Sequence, residues 1–99
     1  MDIATFKQTL TANSVPEVND YFKALWYAAK GDWSMAHLIA RDIDDETGYW
    51  IHGHLHRAKG DDMNAEHWYE KATKAYPTSS VEDEWDEIVM TLQGGKGKV

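Results

Sequence analysis

The string Ala-Lys-Gly-Asp-x-x-x-Ala occurs twice, at residues 29–36 and again 29 residues later at 58–65. Each copy sets a glycine and then an aspartate between two stretches of helical apolar spacing. Glycine enters the left-handed conformation that closes a helix at little cost, and aspartate caps the helix that follows. Repetition of this junction over such a period builds stacked helical hairpins, because one hairpin alone cannot bury its apolar face. The fold class expected is therefore all-α, with about six helices in antiparallel hairpins.

The other elements follow from spacing and caps. Ile3, Phe6 and Leu10 share one face of a helix over about residues 2–12, capped by Asp2 and broken before Pro16. Ser14 with Glu17 makes a capping box and predicts a second helix over about 16–30, with Val18, Phe22, Leu25 and Ala29 as its stripe. A third helix, over about 33–42, takes Asp32 as its cap. Asp42, Asp44, Asp45 and Glu46 lack the glycine and ligand spacing of a calcium loop, and read as the cap of a fourth helix over about 46–59. A fifth runs over about 63–76, stopped by Pro77. Ser79 with Glu82, or Ser80 with Asp83, opens a sixth through Leu92, carrying Val81, Trp85, Ile88, Val89 and Leu92 inward. This last helix is expected to cover the open face of the second hairpin, as terminal repeats require. Residues 1–93 thus form one domain, and 94–99, rich in glycine and lysine, a flexible tail. No stretch alternates with period two, so no strand is expected.

Bulk properties exclude several functions. The formal charge is −7, which repels phosphate backbones and anionic lipid; neither nucleic acid nor membrane is an expected partner. Cysteine is absent, so thiolate chemistry and disulfides are ruled out, and a reducing, cytoplasmic location is expected. The start of the chain lacks the basic and apolar stretches of a signal peptide, and no run approaches the ~20 apolar residues of a membrane span. Nucleophile elbows, phosphate loops and dinucleotide fingerprints are missing; the sequence carries no catalytic motif and calls for no cofactor.

The second hairpin resembles a tetratricopeptide repeat. Tyr49 stands at the large aromatic position, Gly53 at the small position where paired helices approach, and Gly60 at the turn. Ala65, Tyr69 and Ala72 occupy the packing positions of the second helix, and Pro77 ends the unit. Residues 65–72 are also similar to Sel1-like repeats, without their usual Gly-Val insertion. The first copy departs from the pattern: Ala24 takes the glycine position, Ala40 the aromatic one and Ile43 the last alanine. The spacing of 29 also falls short of the family's roughly 34 residues. The resemblance implies a non-enzymatic scaffold that binds protein or peptide on a concave face.

One cluster is unusual for such a scaffold. His52, His54 and His56 precede Arg57. On a helix His52 and His56 lie about 40° apart, while His54 points nearly the other way, so the three cannot chelate together. Gly53 stands where H-E-x-x-H would need its glutamate. Three roles fit His52 and His56: packed histidines bonded to carbonyls or carboxylates, a small-molecule or anion pocket, or a metal site. His37, His67 or Asp32 would have to complete the last of these. A ligand pocket would draw on His37, His52, His56, Arg57 and Asp61, although capping and a local ion pair also account for Arg57, Asp61 and Asn64. Trp33, Trp50, Trp68 and Trp85 are either core or a contact surface, the latter for a partner protein or a second copy in a homodimer.

Overall fold

The computed structural model describes residues 2–97, and side chains through residue 93. All regular structure among these residues is helical: α1 (Ile3–Gln8), extended by a 3₁₀ turn at Thr9–Thr11, then α2 (Asp20–Ala29), α3 (Trp33–Ala40), α4 (Glu46–Ala58), α5 (Asp62–Lys71) and α6 (Val81–Gly97). None is long and apolar enough to cross a membrane. The all-α expectation holds, and its details change where tertiary context outweighs local signals.

The repeated junctions are built alike. Gly31 and Gly60 lie at φ +84° and +86°, and in each case two backbone bonds wrap the helix end. Gly31 N–H donates to Ala28 O at 3.1 Å and Asp32 N–H to Tyr27 O at 2.9 Å; Gly60 donates to Arg57 O at 3.0 Å and Asp61 to His56 O at 2.9 Å. Each aspartate then caps the next helix, Asp32 accepting from Met35 N–H and Asp61 from Asn64 N–H. The repeated tetrapeptide thus specifies its turn by glycine conformation and aspartate capping.

Four boundaries differ from expectation. The second helix starts at Asp20, four residues later than the Ser14–Glu17 box suggests, because Asn19 is in extended geometry and its Oδ1 accepts from Phe22 N–H at 3.1 Å. Val15, ahead of the helix, packs against the core. The third helix stops at Ala40, ahead of the acidic cluster, which works as expected: Asp45 caps α4 through Gly48 N–H at 2.8 Å. The fifth helix ends at Lys71, well before Pro77, since Thr73 adopts φ +60° and closes the helix as the two glycines do. At the far end the helical geometry of α6 continues through Gly94 to Gly97, within the stretch read as tail; Lys98 and Val99 lie outside the described residues.

Packing includes close approaches at two glycines. A Cβ on Gly53 would sit 3.3 Å from Ala65 O and from Trp68 Cβ, so this position brings α4 against α5. A Cβ on Gly48 would meet Ile43 O at 2.3 Å, which leaves no room for one. Leu25, Trp26, Ile51, Leu55, Tyr69, Ile88 and Val89 fill the interior. Phe6 stacks on Trp85 with centroids 5.8 Å apart and joins α1 to α6. The last helix packs on α4, α1 and α2, so it closes both hairpins at once and is not confined to the second.

Candidate functional site

Histidines from the two hairpins meet between α3 and α4. His37 comes from α3; His52 and His56 come from α4, one turn apart on the same face. One ring nitrogen of each lies within 4.8 Å of the others, and the Nε2 atoms of His37 and His52 are 2.9 Å apart, hydrogen-bonded to one another. Among the described residues no carboxylate joins this group of nitrogens. His52 is 5% exposed, whereas His37 and His56 are half-buried.

Aromatic rings hold the cluster on both sides. Trp33 stacks on His37 at 4.6 Å and Trp68 on His52 at 3.9 Å between centroids. Trp33 is itself fixed, since its Nε1–H donates to Leu55 O at 2.6 Å. Lys59 Nζ stands 3.9 Å over the Trp33 ring, and Lys71 Nζ 4.9 Å over Trp68 and 4.7 Å over Tyr49. These ammonium groups are placed by cation–π attraction at the edges of the site.

The electrostatics keep the imidazoles neutral. Burial pushes His52 down to about 4, with the charges of His37, His56, His67 and Lys71 adding to it. Burial likewise lowers His37, aided by the charges of His56, Arg41 and Lys59. For His56 burial again dominates over the opposing pull of Asp61. Asp61 Oδ2 lies 3.6 Å from His56 Nδ1, an atom that is buried and has no hydrogen-bond partner among the described residues. Three neutral imidazoles are ready ligands, because a metal binds the unprotonated ring.

The expected pocket residues therefore divide. His37, His52 and His56 converge, with Asp61 beside them. Asp32 and His67 do not complete the cluster: Asp32 caps α3, and His67 is exposed and edges against Trp68 at 5.2 Å. Arg57 points elsewhere, donating from Nη1 to Glu84 Oε1 at 3.0 Å and from Nη2 to Ser79 O. The tryptophan surface also needs correction. Trp50 and Trp85 are 5% and 7% exposed, with Trp50 Nε1–H donating to Glu84 at 3.1 Å and Trp85 Nε1–H to Leu25 O at 2.8 Å. Both belong to the core, where an indole N–H is tolerated because it has a partner. Trp33 and Trp68 are half-buried walls of the histidine site.

Sequence reading missed Glu84. It is 1% exposed and accepts from Tyr69 OH, His54 Nδ1, Arg57 Nη1 and Trp50 Nε1. Burial raises its pKa, but the bonds from His54, Tyr69 and Arg57 outweigh this and leave it below the usual carboxylate value. Glu84 is thus a buried anion bound by four donors, and His54 serves this network, on the face of α4 opposite the site. Nothing local marks Glu84 in a helix start already rich in acids. Comparison with known proteins finds no matching family model, no similar curated protein and no similar solved structure.

Proposed function

We propose that the chain binds a single divalent transition-metal ion, with zinc as the reference metal, at His37, His52 and His56. The convergence of three imidazole nitrogens within 4.8 Å supports this reading. Three nitrogens around tetrahedral zinc at about 2.0–2.1 Å stand roughly 3.3 Å apart, so loading opens the 2.9 Å His37–His52 pair, replacing its hydrogen bond, and draws the wider separations in. Nitrogen donors suit zinc, copper and nickel over calcium or magnesium, which take oxygen. A metal held by Nε2 of His56 would leave Nδ1–H for Asp61, the arrangement by which a carboxylate fixes a ligand imidazole. The two hairpins, read as a short tetratricopeptide-like pair, would act as the rigid frame of the site. Calorimetric titration should give one zinc per chain for the parent and none for His37→Gln at the same concentrations. A parent that takes up no zinc at neutral pH would refute the reading.

A second role, contact with a protein, a peptide or another copy of the chain, is favoured by Met35 and Leu38. These lie one turn apart on α3 and are 37% and 45% exposed. Pairing of two copies along α3 would give a dimer in sedimentation at micromolar concentration, and Leu38→Lys would return it to the 11.3 kDa monomer. A parent that sediments only as monomer would remove the homodimer and confine this role to other partners.

A further inference from the structure

We infer that the metal-loaded site takes a small anion as its remaining ligand, with acetate as the probe. The inference rests on the metal reading above and adds the ligand class. His37, His52 and His56 supply three donors, and no described carboxylate belongs to their group. Sites closed for structural purposes have four protein ligands, whereas three leave a position for water or an exogenous group.

The surroundings select the charge of that group. Lys59 stands over Trp33 and Lys71 over Trp68, the two rings stacked on His37 and His52. Arg41 is already paired with Asp42 at 3.8 Å, so the cations that matter here are Lys59 and Lys71. Yet the chain as a whole carries −7. A concentration of cations beside neutral ligands is adverse to a bare dication and favourable to an anion that joins it. Asp61 does not supply this anion: it lies on the Nδ1 side of His56 and is engaged with Asn64, whose Nδ2–H donates to it at 2.6 Å.

Cobalt(II) in place of zinc makes the coordination visible by its absorption. Cobalt-loaded protein should change its visible spectrum when acetate is added and stay unchanged with acetamide, the neutral molecule of the same size. The double variant Lys59→Gln/Lys71→Gln should weaken acetate about three- to tenfold, a difference that shrinks as salt rises. It should bind cobalt at least as tightly as the parent, since two opposing charges are gone. A cobalt spectrum indifferent to acetate, or equal acetate affinity in the double variant, would overturn the anion inference while leaving the metal reading intact. Failure of the parent to bind cobalt or zinc at all would defeat both.

Discussion

Acid acts on the native protein through three histidines whose protonation is opposed by burial, His52 most strongly. His52 lies 5% exposed against Trp68, and its pKa falls from 6.5 to about 4, first because of burial and then because of neighbouring charges. In the unfolded chain the same ring titrates near its ordinary value. Between these two values the unfolded state holds a proton that the native state refuses, so stability falls as pH drops through that window. Above pH 6.5 both states are neutral here and the dependence disappears. Metal-free protein should therefore lose on the order of 2 kcal/mol from this residue between pH 6.5 and 4. His52→Leu, which cannot protonate, should show a visibly flatter melting curve against pH over that range. Equal slopes for parent and variant would mean that other groups control acid unfolding.

Helices and turns show which parts of the molecule are legible in order along the chain. Both glycine junctions were readable because the Ala-Lys-Gly-Asp string carries its whole mechanism within a few residues. The Ser80–Asp83 cap of α6 was readable for the same reason, and its bond is present at 3.0 Å. The closing of α5 was not: Thr73 adopts a left-handed geometry that β-branched residues avoid, supported by Oγ1–H donation to Glu46 at 2.9 Å. The pair His52 and His56 was legible from helical spacing, and His37 as a candidate only, since nothing local tells that α3 lies beside α4. The role of α6 as a latch depends on Glu84, whose partners lie 15 to 34 residues away. Glu84→Ala would strand Arg57, His54, Tyr69 and Trp50 in the interior, at a cost of about 3–5 kcal/mol. Urea unfolding should register that loss, with Glu84→Gln intermediate because one acceptor oxygen survives. A Glu84→Ala protein within about 1 kcal/mol of the parent would show that the network relaxes into water instead.

Across the whole molecule, the two hairpins are unequally tied. Within a hairpin, close-packed helices share a tight turn and, in the second, a glycine contact. Between hairpins, α3 meets α4 at ring contacts of His37 and Trp33 with His52 and His56. A metal bound at this junction would take one ligand from the first hairpin and two from the second, and so act as the cross-link that a chain without cysteine lacks. Its effect on stability follows from mass action. Free zinc at a hundred times its dissociation constant adds about 2.7 kcal/mol when only the native state binds. For a chain of about 100 residues that corresponds to a rise of roughly 10–20 °C in melting temperature. His37→Ala keeps the i, i+4 pair on α4 but removes the ligand that bridges the hairpins, so the rise should vanish at the same zinc concentration. Scanning calorimetry with and without zinc on both proteins measures this. An undiminished rise in His37→Ala would place the ion on α4 alone and leave the hairpins without a metal cross-link.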